Sequence, residues 1–412
     1  MKILHFSDIH YWKIQIGSDP YYPKRFLGLM NLVFSRKNHF PPPLADTVIN
    51  AIRQEEADAV LFSGDLTTTS LESEFKKAAD AFAPLYEKWG DQLIVIPGNH
   101  DHGGAGGIWR REDLRRQMQQ RADNLQLVLK PEPVDVAGIT LLPCPLQRQR
   151  DSQSPSRWLD QLNWTDLDPV NPRVVLAHGS VQGFGGDGQV NQLCLDPLPR
   201  DQIDYIALGD WHALMEVDRR TWYSGTPEPD RFPTGTDGLR SQVLVIDVER
   251  AQPPTVMVKP TGRLQWHRIT MTLNGDADLA RLEQQLVEAV GSRVGRDLMR
   301  LELNGQLGLQ GHLHLEERLA LLGEQLLHLR LRGKLHRQPT AKERDELLLR
   351  MDSPLVSTIA AGLQDELQSN ADPLLEQALI ELHRLCTKDS LSTGSVATGS
   401  VATDPFATDS CA

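Results

Sequence analysis

An α/β fold, with a mixed sheet or two packed sheets and a smaller C-terminal α+β domain, is what this sequence predicts. Three observations lead there. Five short apolar runs each end in a polar, mostly glycine-containing motif. Strand-like runs first alternate with amphipathic segments and later follow one another, which favours mixed or packed sheets over a single parallel one. The alternation then restarts after Gly262, as expected of a second folding unit.

In chain order, the five runs are residues 2–6, 59–62, 93–96, 174–177 and 205–208, all apolar enough for buried strands. Residues 43–52 read as a helix with Pro43 at its start, and 71–89 and 108–122 as further helices. Strands follow at 139–146, 221–224, 243–248 and 255–259, the last running into Pro260-Thr261-Gly262, a turn and plausible hinge. Beyond it, 266–273 alternates like a strand, and 276–290 is helical with Asp276 or Asp278 as cap. Residues 298–303 and 329–335 are strands, 315–327 a helix, and 341–385 mostly helical. The predicted boundaries are therefore 1–262, 263–386 and a tail, 387–412. The tail is rich in Ser, Thr, Ala and Gly, repeats Gly-Ser-Val-Ala-Thr at 394–398 and 399–403, and has too little apolar content to order itself.

Composition narrows the class. At 412 residues and 40% hydrophobic content the chain can bury more than one core. A net charge of −12 argues against indiscriminate nucleic-acid binding, while leaving room for local basic patches. Cys144, Cys194, Cys386 and Cys411 lie far apart, in neither a zinc-ribbon nor a disulfide pattern, which fits a reducing compartment. The N-terminus enters a strand without a signal-peptide apolar stretch, and no run nears the roughly 20 residues that span a bilayer. The expectation is a cytoplasmic protein with no membrane span.

The motifs behind the runs are Asp8-Ile9-His10, Gly64-Asp65, Gly98-Asn99-His100-Asp101, His178-Gly179 and Gly209-Asp210-Trp211-His212. Loops at the carboxyl ends of strands open on one rim of an α/β sheet, so residues far apart in sequence can meet there. Asp, Asn and His offer oxygen and nitrogen donors without thiolate, a set suited to Mn²⁺, Fe or Zn²⁺. Two such ions, sharing a carboxylate assigned to Asp65, can clamp a phosphoryl group and activate a water for displacement. No single motif is diagnostic; the ordered set of five is.

With these motifs, residues 1 to about 250 resemble the calcineurin-like metallophosphoesterase superfamily, which implies a four-layer sandwich of two mixed β-sheets flanked by helices, with the C-terminal α+β domain as a cap. The resemblance implies that Asp8, His10, Asp65 and His212 hold one divalent ion and that Asp65, Asn99, His178 and Asp210 hold the other. His100 would then act as a catalytic group at the leaving oxygen, steadied by Asp101. One departure stands out: the last motif is usually Gly-His-x-His, whereas here Asp210 replaces the first histidine. The extra carboxylate hardens the site and favours Mn²⁺. A literal Gly-His-x-His at Gly311-His312-Leu313-His314 lies too far along and runs into a helix, so it reads as a helix start.

Substrate is narrowed by three local readings. Gly64-Asp65 continues as Leu66-Thr67-Thr68-Thr69, unlike protein Ser/Thr phosphatases, and neither a leader nor a large C-terminal nucleotide-binding domain of the secreted nucleotidases is evident. The stretch from Asp204 to His212, with Tyr223-Ser224-Gly225-Thr226-Pro227-Glu228, is similar to bacterial DNA-repair exonucleases of the SbcD type. The 298–305 segment is weakly similar to their capping domain. That resemblance implies Mn²⁺-dependent cleavage of DNA, a homodimer, and an SbcC-like coiled-coil ATPase as partner, docked through 341–385. Arg330, Arg332 and Lys334 would share one face of an extended strand and contact phosphates; the ordinary alternative is a solvated face. Arg110, Arg111, Arg115, Arg116 and Arg121 follow the His100 loop, and the apolar segment 24–37 with basic ends reads as a packed insertion or a cleft wall. The competing functions are a small-molecule phosphodiesterase of the cyclic-nucleotide kind and a regulatory scaffold of an ATPase.

Overall fold

The computed structural model describes residues 1–11, 43–121, 126–181, 190–229, 231–233, 240–293, 295–337, 340–351, 353–369 and 373–388. The expected insertion at 24–37 and residues 389–412 of the expected tail lie outside the described residues. The chain divides into two compact units. The first comprises Met1–Arg268, Ser292–Arg300 and Gln325–Arg330; the second comprises Ile269–Gly291, Leu301–Glu324 and the described residues from Leu331 onward.

The first unit begins with β1 (Lys2–Phe6), α1 (Pro43–Arg53), β2 (Ala59–Phe62), α2 (Glu72–Trp89) and β3 (Leu93–Val95). After a 3₁₀ turn at Ile108–Arg110 come α3 (Glu112–Arg121), β4 (Gln126–Leu127), β5 (Val134–Val136), β6 (Ile139–Cys144) and β7 (Arg173–His178). A short parallel pair, β8 (Ser180–Val181) and β9 (Gln192–Leu193), precedes β10 (Tyr205–Gly209), β11 (Met215–Asp218), β12 (Thr221–Tyr223), β13 (Gln242–Asp247) and β14 (Thr255–Pro260). Two six-stranded sheets result, ordered β14-β13-β1-β2-β3-β4 and β11-β12-β10-β7-β6-β5. In the first, β1, β2, β3 and β4 are parallel and β13 runs against β1. In the second, β6, β7, β10 and β12 are parallel. Both sheets are mixed, as the order of runs predicts.

Alternation along the strands builds the layers. Ile3, Leu61, Ile94, Leu141, Val174, Leu176 and Ala207 share one core between the sheets. Leu4, Phe6, Val60 and Phe62 face the other way, against Ile49 and Ile52 of α1 and Phe75, Phe82 and Leu85 of α2. The outer side of the second sheet, with Val175, Ile206 and Leu208, is covered by Leu159 from a 3₁₀ turn, Leu193 from β9 and Leu198 from a loop. His5, on the inter-sheet face, is buried; its Nδ1 is 3.0 Å from the Tyr205 hydroxyl and its Nε2 3.0 Å from Ser63 Oγ. Burial lowers its pKa to about 3, so it sits neutral between the sheets.

The single helix expected over 108–122 is split. Ile108 and Trp109 are buried, Trp109 packs edge-on against Phe75, and Arg110 Nε donates to the Gly103 carbonyl. Those contacts hold the first turn, and Arg111 becomes extended before α3 begins.

After β15 (Gln265–Leu273) come α4 (Leu279–Val290), β16 (Asp297–Leu307), α5 (Leu309–Gln325), β17 (His328–Arg332) and β18 (Leu335–Arg337). The sheet order is β15-β16-β17, with β18 parallel to β16. Helices α6 (Ala341–Leu348), α7 (Pro354–Ser369) and α8 (Pro373–Lys388) follow, sharing Leu347, Ala360 and Leu379 as a small core. One expectation is corrected here. The strand foreseen over 329–335 breaks at Gly333, φ +96°, where any Cβ would meet the Leu303 carbonyl. Lys334 therefore falls in the turn and shares no strand face with Arg330 and Arg332. Gly311-His312-Leu313-His314 lies in the first turns of α5, with His312 Nε2 3.2 Å from the His336 carbonyl and His314 paired with Glu283. Among the described residues, no helix is long and apolar enough to cross a membrane.

Candidate metal centre

The carboxyl ends of β1, β2 and β3 in one sheet and of β7 and β10 in the other carry the five motifs. Asp8, His10, Asp65 and Asp210 all have positive φ (55°, 54°, 57° and 96°), a conformation uncommon for residues with a Cβ. Concentrated strain of this kind marks sites where position matters more than local comfort. Gly98 has a steric reason to lack a side chain, because a Cβ there would collide with the Asp65 carboxylate.

Donor atoms of three overlapping groups lie within 4.8 Å of one another: Asp8–His10–His212, Asp8–Asp65–His178 and His10–Asp65–His100. Asp65 Oδ2 is 3.4 Å from His178 Nε2 and 3.9 Å from His10 Nε2, so one oxygen faces both histidines. Its Oδ1 accepts the His100 backbone N–H at 2.9 Å. Asp8 Oδ1 is 3.7 Å from His10 Nε2 and 4.0 Å from His212 Nε2. Asp210 Oδ1 accepts from Asn99 Nδ2 at 3.1 Å and is 3.8 Å from His178 Nε2; its Oδ2 accepts from Ser180 Oγ at 3.0 Å. Asn99, His178 and Asp210 are thus neighbours, as are Asp8, His10 and His212.

The donors fit divalent cations. His178 Nδ1 is held 2.7 Å from the Ser63 carbonyl, and only an N–H can bond there, so Nε2 is turned toward the carboxylates. That Nε2 and Asp8 Oδ1 are both buried without a hydrogen-bond partner, an arrangement that is costly unless a cation satisfies it. His10 Nε2 and His212 Nε2 face each other at 3.1 Å. Two imidazole nitrogens each about 2.1 Å from one ion, at roughly a right angle, would stand about 3 Å apart.

Without metal the cluster is electrostatically tense. Burial, opposed by His178 and His212, pushes the Asp8 pKa up to about 6. Burial also works against charge on Asp65, yet the nearby charge of His178 at 3.4 Å, with His10 and His100, holds that carboxyl well below the usual range. His178 is raised well above an ordinary histidine: burial opposes its charge, but Asp65, Asp8 and Asp210 outweigh burial. Burial and then the Asp65 charge push Asp101 to about 7.

Asp101 requires a correction. Its Oδ1 accepts from Gly98 N–H at 2.9 Å, and its Oδ2 from Leu66 and Thr67 N–H at 2.9 and 3.1 Å. It ties the β3 loop to the β2 loop and does not steady the His100 ring. That task falls to the Thr68 carbonyl, 2.8 Å from His100 Nδ1, which leaves Nε2 free of that bond on an exposed residue beside His10 and Asp65. Thr68 is itself anchored, its Oγ1 donating to the His10 carbonyl at 3.1 Å. Sequence reasoning missed Thr68 and Ser63 because both act through backbone carbonyls, which carry no residue signature.

A family model of calcineurin-like phosphoesterases matches residues 1–214, taking in all five motifs. The chain belongs to the calcineurin-like phosphoesterase family. Among solved structures, this calcineurin-like phosphoesterase is similar to purple acid phosphatase isolated from yellow lupin (Lupinus luteus) seeds. The identity is 14% and the TM-score 0.33, covering 63% of this chain and 51% of that one. This chain thus spans about half the length of that relative. No curated protein matches it.

Proposed function

We propose that this calcineurin-like phosphoesterase is a two-metal phosphodiesterase that hydrolyses DNA. The observation that carries the hydrolytic reading is the pair of buried, unpartnered donors, Asp8 Oδ1 and His178 Nε2, clustered with Asp65 beside the exposed His100. Asp8, His10, Asp65 and His212 would hold one ion and Asp65, Asn99, His178 and Asp210 the other. Rotating the Asn99 amide would present its oxygen in place of the Nδ2 that now faces Asp210. Mn²⁺ suits a set this rich in carboxylates. Bound there, divalent ions supply Lewis-acid activation of a water and of the phosphoryl oxygens.

The chain's own residues do the rest. With Nδ1–H given to the Thr68 carbonyl, protonated His100 carries its second proton on Nε2, facing the substrate. It would hand that proton to the leaving oxygen as the P–O bond breaks and the oxygen of a water that has already released one proton to solvent bonds to phosphorus. Asp101 fixes the loop that carries His100 relative to Asp65. DNA as substrate is supported by the likeness of residues 204–212 and 223–228 to the SbcD-type exonucleases.

The test is Mn²⁺-dependent hydrolysis of end-labelled linear DNA beside bis-p-nitrophenyl phosphate, comparing wild type with His100→Ala. DNA cleavage that needs both Mn²⁺ and His100 is the expected result. Turnover of the small diester alone would remove DNA as the substrate, and turnover of neither would remove the phosphodiesterase reading for the isolated chain.

A further inference from the structure

The loop after β6, Gln147-Arg148-Gln149-Arg150-Asp151, contains no metal-ligand residue and belongs to none of the five motifs. β6 is parallel to β7, so this loop leaves the sheet at the same edge as His178. It is fastened at both ends to loops of the metal centre. On one side, Gly103 N–H, two residues beyond Asp101, donates to the Leu146 carbonyl at 2.8 Å. On the other, buried Asn191 acts as a bracket. Its Nδ2 donates to the Gln149 carbonyl at 2.9 Å, and its Oδ1 accepts from Asp151 N–H at 2.8 Å. The Asn191 carbonyl accepts from Ser180 N–H at 3.2 Å, and Ser180 Oγ in turn holds Asp210. Gln147 Nε2 adds a bond to the Leu129 carbonyl at 3.0 Å.

On this fixed backbone Arg148 and Arg150 are exposed and make no hydrogen bond or ion pair among the described residues. Exposed Arg110 is tied to the same loop through Gly103: its Nε donates to the Gly103 carbonyl at 2.8 Å, and Gly103 N–H donates to the Leu146 carbonyl. Some other arginines of this unit are paired. Arg111 pairs with Glu72 and Asp113, and Arg200 with Asp218. In a chain of net charge −12, Arg148 and Arg150 place two uncompensated cations on a loop tied to the metal centre. A guanidinium with open donors is suited to phosphate oxygens, and a loop backbone already fixed leaves only the side chain to order on contact.

We infer that Arg148 and Arg150, with Arg110, form a phosphate-binding rim that seats the backbone of a DNA strand flanking the scissile bond. This rests on the proposed DNA phosphodiesterase reading and names how that site takes its substrate. The rim contributes to strand binding, whereas the metal centre acts on the single bond being cut. Short diesters, which lack flanking phosphates, depend on it least.

The test uses the full chain and the double variants R148A/R150A and R148E/R150E, both at exposed positions. Binding of a short fluorescently labelled single-stranded DNA is measured by anisotropy in Ca²⁺ over a salt series. Steady-state kinetics on DNA and on bis-p-nitrophenyl phosphate are measured in Mn²⁺. The expected result is DNA binding weakened at least tenfold at low salt, and a log K against log salt slope reduced by about 1.4 for two lost phosphate contacts. The loss in kcat/KM on DNA, carried by KM, should exceed that on the small diester at least tenfold. Wild type that cleaves DNA beside variants that bind and cleave it equally well would overturn the rim and leave the nuclease reading standing. Equal losses on both substrates would also overturn it, placing the arginines in support of the metal centre. Wild type that turns over the small diester but neither binds nor cleaves DNA would overturn the nuclease reading, and the rim with it.

Discussion

His100 and Asp101 are adjacent in sequence, and they do different work. His100 is exposed, with its ring bonded through Nδ1 to a backbone carbonyl and Nε2 free of that bond. Asp101 is buried and accepts three backbone N–H groups from two loops. His100→Ala should lower kcat on DNA by about 10²- to 10⁴-fold, as loss of a general acid does, while leaving the thermal midpoint within a degree or two. Asp101→Ala strips three buried donors of their acceptor and should cost about 3 kcal/mol or more of stability. Paired calorimetry and kinetics on the two variants distinguish these roles, and equal destabilisation by both would contradict them. Asp210 offers a second test. Asp210→His restores the usual motif and removes a carboxylate, so Mn²⁺ affinity should fall about tenfold or more relative to Zn²⁺ in competition titrations. An unchanged preference would show that Asp210 is no ligand. The ligand-type residues were legible because each is a polar side chain placed directly behind an apolar run. Thr68, Ser63 and the arginines behind β6 were not, because their roles depend on contacts brought by loops distant in sequence.

At the scale of elements, strands were easier to read than their neighbours. β1, β2, β7 and β10 are buried on both faces, so each is a near-continuous apolar run with sharp ends. The helix over 108–122 misled because its periodicity continues across Arg111, while the burial of Trp109 against Phe75 belongs to tertiary packing. The cover on the outer face of the second sheet is built of 3₁₀ turns, loops and the two-residue β9, which have no amphipathic period to detect. Lys334 was misplaced for another reason: strand alternation was extended through Gly333, whose positive φ ends β17. The loops are where elements become a site. Gly98→Ala puts a methyl against the Asp65 carboxylate at the junction of the β2 and β3 loops. We expect this variant to stay folded but to lose most of the rise in thermal midpoint that Mn²⁺ gives wild type. A metal-induced shift equal to that of wild type would mean the loops can separate at no cost.

For the molecule as a whole, the unsatisfied charge at the centre should set how stability varies with pH. Asp8 and Asp101 have folded pKa values near 6 and 7, above their ordinary 3.8, and Glu228, buried elsewhere in the same unit, is raised from 4.5 to about 7. In each case the native state holds a proton that the unfolded chain releases, so the stabilisation is complete below about pH 4 and is lost as pH rises through the folded pKa. His178 adds to this at higher pH, since its raised pKa is stabilising below 6.5 and is lost only as pH climbs past the folded value. Two groups oppose the trend. Neutral, buried His5 makes stability rise with pH between about 3 and 6.5, and Asp65 does so below 3.8. Between pH 4 and 6 three raised carboxyl groups compete with one histidine, and above 6.5 the opposition has ended. Each net proton is worth about 1.4 kcal/mol per pH unit. The chelator-treated protein should therefore have a higher thermal midpoint at pH 5 than at pH 8. Mn²⁺ should reverse the order, because ligands that bind it must be deprotonated and its binding stabilises only the folded state. Thermal scans at pH 5 and pH 8, each with EDTA and with Mn²⁺, decide the matter. A midpoint that rises with pH in EDTA, or that Mn²⁺ leaves unmoved at pH 8, would mean that these buried acids are not held together for a cation.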